Sequence, residues 1–326
     1  MAGFPSADSF AEANDCRPRV RPGRRDTRRE FLRRAAILPA ALLIAQEYAH
    51  GSTPAVKPGE KTPCVPFGRH TMSRLVCGGN PFNAGSHLSG FVNREMRTYY
   101  TPEQILKTLR RCEEVGVNFW QSSGRNLELY ERLIAEGGRM RYLSLAKDGA
   151  EIPPLVKAGC VGIAHHGEVT DQLFKAGQFE KVNDFLKHVR DAGLMVGVST
   201  HMPAVVDAVE SKGWDVDFYM TCVYERNRTV EELKTLLGHV PLPVREVYLE
   251  EDPPRMYKVI RQTRRTCLAF KILAAGRLCE NKVSVEKAFR QTFEGIKPTD
   301  AVIVGLYDRY SDQAAEDAEC ARRFGR

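Results

Sequence analysis

Three signatures are missing from this sequence, and each absence excludes something. The nine cysteines form no C-x-x-C pair and no zinc-finger spacing, and their number is odd, which excludes a metal knuckle or a simple disulfide framework. No G-x-G-x-x-G opens a helix after a strand-like run, so the dinucleotide-binding fingerprint of an open doubly wound sheet is lacking. The apolar run from Ala35 to Ala45, broken by Pro39, falls short of the about 20 residues that span a bilayer. Basic charge is also scarcer than it looks. Nine arginines between Arg17 and Arg34 set against six acidic residues place +3 of the formal +7 in the first fifty positions. The remaining +4 describes an ordinary surface with no nucleic-acid footprint. Cys77, Cys160, Cys222 and Cys267 sit in or beside apolar runs, where cysteine acts as a small hydrophobe, and are expected to be buried thiols.

What is present begins with an address. A basic region, a short apolar stretch and small residues from Ala49 to Ala55 have the layout of an export signal. Within it, Thr27-Arg28-Arg29-Glu30-Phe31-Leu32-Arg33 closely resembles a twin-arginine signal, the alternative being a plain basic tail. The resemblance implies passage of a folded chain through the twin-arginine export machinery. It also implies residence in the periplasm or cell envelope, with no stable membrane span after processing. Residues 1–55 are expected to be signal and linker, and 56–326 one folded domain.

From about residue 70 strand-like and helix-like stretches alternate. Eight apolar runs read as strands: SRLVCGG (73–79), VNFWQ (117–121), YLSLAK (142–147), CVGIAHH (160–166), LMVGVST (194–200), DFYMTC (217–222), CLAFK (267–271) and AVIVG (301–305). Helical spacing follows seven of them. Thr101-Pro102-Glu103-Gln104 opens one helix with a capping threonine and an N1 proline, and Gly116 ends it. The rhythm predicts an α/β fold of the (β/α)8 TIM-barrel type beginning near Ser73, with an open doubly wound sheet as the alternative. Two connections are too long for bare loops, Gly79 to Tyr100 and Tyr224 to Asp252, and both are expected to overhang the mouth as lids. Three runs end in titratable groups, at Lys147, at His165-His166 and before His201, which suggests a single rim at the C-terminal ends of the strands.

Six segments, taken in order, resemble the aldo/keto reductase superfamily from about Ser73 to the C-terminus. They are VGVNFWQSS, LSLAK, VGIAHH, MVGVSTHMPAVVDAV, CLAFKILAAGRL and VIVGLYDRYSDQAAEDA. The resemblance implies that Lys147 and His165 are the catalytic lysine and histidine. The family's aspartate position holds Gln121, and its tyrosine acid falls at Asn126, so the tetrad is incomplete. Tyr99, Tyr100, Tyr130 or Tyr224 is a candidate replacement. On the cofactor side, Ser199 and Thr200 stand for the pair that holds the nicotinamide amide, and Phe270 for the usual tyrosine. Gly305 and Gln313 match the phosphate loop and helix start, and Arg309 is placed to meet a 2′-phosphate. These residues either bind NADP(H) or persist as fold-determining positions.

Two functions therefore stand. One is an exported NADP(H)-dependent oxidoreductase that acts on a small carbonyl or sugar-like substrate. The other is a non-redox barrel, either a carbohydrate-binding protein or a lyase, isomerase or hydrolase assisted by a divalent metal. That metal would sit among His165, His166 and His201 with Glu250, Glu251 or Asp252. Adjacent strand residues face opposite ways, which weighs against the metal. With an amide at position 121, Lys147 keeps an uncompensated charge suited to an anionic group. If Arg28 and Arg29 direct export, replacing both by lysine strands full-length precursor in the cytoplasm on cell fractionation; unchanged delivery of the double mutant contradicts the signal.

Overall fold

A computed structural model describes residues 61–242 and 246–326. The expected signal and linker, residues 1–55, and the boundary at residue 56 lie outside the described residues. Strands β1 (Cys64–Phe67) and β2 (His70–Ser73) form an antiparallel hairpin whose turn uses Gly68 at φ 54°. The next eight are β3 (Leu75–Gly78), β4 (Phe119–Ser123), β5 (Arg141–Ala146), β6 (Gly162–His165), β7 (Met195–Thr200), β8 (Phe218–Cys222), β9 (Thr266–Phe270) and β10 (Ala301–Gly305). They pair in parallel in chain order, and β10 returns to β3 from Val302↔Leu75 to Gly305↔Gly78. That closing ladder makes the fold a (β/α)8 barrel and excludes the open sheet.

Eleven helices are present among the described residues: α1 (Gly90–Tyr99), α2 (Pro102–Glu114), α3 (Leu127–Ala135), α4 (Ile152–Lys157), α5 (Gly167–Lys175), α6 (Glu180–Asp191), α7 (Pro203–Lys212), α8 (Val230–Leu237), α9 (Asp252–Gln262), α10 (Lys282–Gly295) and α11 (Gln313–Phe324). None is long and apolar enough to cross a membrane. The caps read from sequence form: Thr101 accepts from the Gln104 amide, and Thr229 with Glu232 makes a reciprocal capping box. The hairpin, α1, α4 and α5 were not expected from the sequence. Cys77, Cys160, Cys222 and Cys267 are free and buried, as expected.

Side chains alternate across each strand, and in a closed barrel the two faces become an inside and an outside. Phe119, Leu143, Ala164, Phe218, Leu268, Ala301 and Ile303 fill the inside. Their neighbours Trp120, Tyr142, Ile163, Tyr219, Cys267 and Val302 belong to the layer under the helices. Gly197 leaves room for the Phe218 ring, since a Cβ there would lie 2.4 Å from Phe218 Cζ. The hairpin seals the N-terminal end: Val65, Phe67 and Met72 join the inner cluster, with the Phe67 ring 5.8 Å from Phe119 and 5.2 Å from Phe218. Buried Arg74 fastens the same end. It donates to the carbonyls of Asp300 (2.8 Å), Gly325 (2.7 Å) and Lys297 (3.0 Å), so the first barrel strand is tied to the last helix. With one end plugged, only the C-terminal mouth is open to a ligand. Phe67→Ala is expected to cost about 3–5 kcal/mol in urea unfolding; an unchanged midpoint contradicts the plug.

Candidate functional site at the barrel mouth

Two cavities meet at the mouth and share Gln121, Phe270 and Lys271. The larger, about 810 Å³, lies over β4 to β7, and the smaller, about 270 Å³, lies between β3, β9 and β10. The strand alternation decides who reaches them. Counting in twos from the inner residues, Phe119 leads to Gln121, Leu143 to Lys147, Ala164 to His166, and Gly197 to Ser199 and His201. All five line the larger cavity.

The same count turns His165 away, which corrects its assignment as the mouth histidine. Its ring packs edge-on to Phe185 of α6 with centroids 4.9 Å apart, and its Nδ1 lies 2.7 Å from Thr170 Oγ1 of α5. Burial pushes its pKa down to about 4, so it is a neutral core histidine. His166 takes the mouth position instead. Burial lowers its pKa, the charge of Lys147 lowers it further, and its Nδ1 is buried without a hydrogen-bond partner.

Thr200 is corrected by the same parity: its hydroxyl faces outward and donates to Asp171 Oδ1 at 2.5 Å. Asp171, buried on α5, also accepts from the His201 amide (3.1 Å), from Asn227 Nδ2 (2.8 Å) and from His201 Nδ1 (2.8 Å). A carboxylate only accepts, so the His201 ring carries its hydrogen on Nδ1 and leaves Nε2 as a free base. Burial lowers the His201 pKa even against the pull of Asp171, which keeps the ring neutral near pH 7.

Gln121 donates Nε2 to the Ser122 carbonyl at 2.8 Å, and Lys147 is exposed at the cavity edge. Asn126, at the place of the missing tyrosine, is buried and accepts from Ser122 Oγ (2.8 Å) and Asn83 Nδ2 (2.7 Å). None of Tyr99, Tyr100, Tyr130 and Tyr224 lines either cavity. Tyr100, for example, donates to the Leu306 carbonyl at 2.7 Å. The candidate acid replacements therefore fail on position.

Phe270, Gly305 and Gln313 line the smaller cavity, and Gly305 is exposed at the end of β10. A Cβ on Gly305 would lie 2.7 Å from Pro81 Cδ, so the first connection packs close beside the glycine. Gln313 Oε1 accepts the Tyr307 amide at 2.7 Å. Arg309 lines neither cavity and is paired at 2.5 Å with Glu95 of α1. Gly305 is thus open, while Gln313 and Arg309 have partners within the chain, Arg309 in an ion pair at the surface. The metal set fails. Asp252 is buried beneath Arg228 and Arg255, away from the histidines, and among the described residues no group of three or more His, Cys, Asp or Glu is placed to hold a metal.

Both long connections do lean over the mouth. His87 Nδ1 of the first meets Glu246 Oε1 of the second at 2.7 Å, and Glu246 also accepts from Arg226 (2.5 Å) and Tyr248 (2.7 Å). Burial alone would raise the Glu246 pKa, but the His87 and Tyr248 hydrogen bonds and the charges of Lys271 and Arg226 bring it well below the ordinary carboxylate range. The segment after β9 holds Lys271, Ala274 and Ala275 at φ 59°, 47° and 51°, a left-handed run that costs side-chain-bearing residues energy.

Six buried side-chain polar atoms lack a partner among the described residues, and four of them line these two cavities: His166 Nδ1, Arg226 Nε, Lys271 Nζ and Tyr307 Oη. Of these four residues, only His166 was singled out from the sequence; Lys271 ends the run CLAFK and Tyr307 lies in VIVGLYDRYSDQAAEDA, neither with a role.

No protein-family model matches the chain, and no curated protein matches it. Solved structures do. One from Pseudomonas aeruginosa, provisionally described as an aldo-keto reductase, superposes with a TM-score of 0.56 at 14% identity, covering 82% of this chain and 98% of that one. A second structure of that description gives 0.53 at 15% identity over 80% and 93%. A phospho-2-dehydro-3-deoxyheptonate aldolase from Thermotoga maritima gives 0.50 at 10% identity over 81% and 72%. At such identities the likeness is one of fold, a barrel shared with aldo-keto reductases and with other enzymes.

Proposed function

We propose that the chain is a barrel enzyme whose mouth binds a small, anionic, oxygen-rich carbonyl compound of the sugar-acid class and moves protons on it. The observation that carries this reading is the set of three unpartnered polar atoms around the larger cavity, His166 Nδ1, Arg226 Nε and Lys271 Nζ. Burying such a group without a partner costs about 1–3 kcal/mol, and three around one space call for a ligand with several acceptor oxygens. The charge balance agrees. Arg125, Lys147, Arg226 and Lys271 line the larger cavity against Glu151 and Glu168. Arg226 supplies an Nε donor for a carboxylate, Lys147 supplies charge at the rim, and neutral His201, aligned by Asp171, takes a proton at Nε2.

A second reading is an NADP(H)-dependent oxidoreductase. It draws support from the likeness of the barrel to aldo-keto reductases and from the position of Ser199 and Phe270 at the mouth. The missing tyrosine acid, with Asn126 in its place, ranks it lower.

Calorimetric titration with 2-oxogluconate, glucose and NADPH separates them. The first reading predicts saturable binding of 2-oxogluconate over glucose. Arg226→Met or His166→Ala should weaken that binding at least about tenfold, since a lost charged hydrogen bond is worth about 1.5–3 kcal/mol. His165→Ala should instead lower stability and leave the affinity intact. Equal affinity for glucose, or tight NADPH binding, contradicts it.

A further inference from the structure

The proton chemistry above leaves one group unused. Lys271 lies just past β9, at the junction of the two cavities, with Nζ buried and bonded to nothing. A lysine kept only for structure normally finds a carbonyl or carboxylate for its ammonium. Lys297, at the other end of the barrel, does so: it donates to the Ile260 carbonyl at 2.7 Å and pairs with Asp300 at 3.0 Å. Lys271 instead holds a left-handed backbone (φ 59°), and two more residues of its loop share that conformation. The strained turn sets its amine at the floor where the cavities join.

We propose that the ε-amine of Lys271 is a nucleophile that condenses with the carbonyl carbon of the bound compound to form an imine. This rests on the reading that the mouth takes a carbonyl compound. The atoms balance without an oxidant or reductant. The ammonium first gives one proton to a base in the same cavity, and His201 Nε2 is available. The nitrogen lone pair then forms the C–N bond while the carbonyl π pair moves to oxygen. One nitrogen proton passes to that oxygen, the proton held by the base follows, and the C–O bond breaks with loss of water. The product is a protonated imine, equal to ammonium plus carbonyl minus water. The protonated imine is an electron sink for breaking a bond to the adjacent carbon. That use of the mouth needs neither the absent tyrosine nor a dinucleotide.

The electrostatics support the geometry. Burial lowers the Lys271 pKa to about 8, Cys222 of β8 and Glu246 of the second connection pull it back up, and Arg226 and Arg277 push it down. His201, just past β7, also feels its charge. Neutral amine is therefore available at mildly alkaline pH, whereas Lys147 stands exposed at the rim.

The test is reductive trapping of the full chain with 2-oxogluconate and borohydride, followed by peptide mass mapping. The inference predicts one adduct, on Lys271, formed at least about tenfold more slowly at pH 6 than at pH 8 as the ammonium fraction grows. Lys187→Met, an exposed lysine of α6 that lines neither cavity, should keep the adduct and Lys271→Met should abolish it. Should Lys271→Met fail to fold, the mapped position in the wild type still decides. Adducts spread over exposed lysines overturn the inference. So does saturable binding of 2-oxogluconate without any adduct, which leaves the reading of the mouth intact. Absence of both binding and adduct overturns that reading along with the inference.

Discussion

The alternation of side chains along eight closed strands is the constraint on which the rest depends. Once Phe119, Leu143, Ala164 and Phe218 are committed to the inside, every residue further along those strands has its direction assigned. One step of phase separates a neutral histidine against Phe185 from a histidine facing the ligand space. Shifting β6 by one residue would exchange His165 and His166 and would also drive Ile163 into a space that holds Ala164. The packing of the barrel interior therefore fixes the chemistry of its mouth.

The same closed architecture explains the lids. A plugged N-terminal end leaves chemistry to the loops at the other end, and here three of them converge. The first connection reaches the second through His87 and Glu246, while Arg277 after β9 donates to the His87 carbonyl at 3.2 Å and stacks over Tyr248 at 4.1 Å. Pro81 and α1 meanwhile press onto the end of β10 and the loop after it. Arg125, Lys147, Arg226 and Lys271 line the larger cavity, with Arg226 paired to Glu168 and Glu246.

Much of this was legible in the residues. AVIVG is β10 from end to end, Leu127 to Ala135 is α3, the box at Thr229 forms in full, and Thr101 caps its helix although Gln104 turns its amide to Tyr99 instead of closing the box. Local chemistry sets these, so a local reading finds them. The hairpin was missed because its strands are four residues each and gain their stability only by entering the barrel. The helix α1 was missed because it opens on glycine after Ser89 and buries a single side chain, Met96. The exchange of His165 for His166 has a plainer cause. Strands buried on both faces carry no polar and apolar alternation, so their phase is invisible until neighbouring strands are paired. Register supplies what the run lacks: Ala146 pairs with His165, which places Lys147 beside His166. Lys271 closes the run CLAFK, so its place at a strand end was legible but its unpartnered amine was not, and Arg226 and Tyr307 depend on loop paths that no local pattern announces.

The central claim is that His166, Arg226 and Lys271 are left unpartnered around the larger cavity for a ligand's oxygens. A crystal structure of the protein soaked with 2-oxogluconate tests it directly. The account predicts the carboxylate on Arg226, the carbonyl carbon at Lys271 Nζ, and a further oxygen within hydrogen-bond distance of His166 Nδ1. A mouth in which these three atoms are bridged by ordered water while the sugar acid lies elsewhere would contradict it.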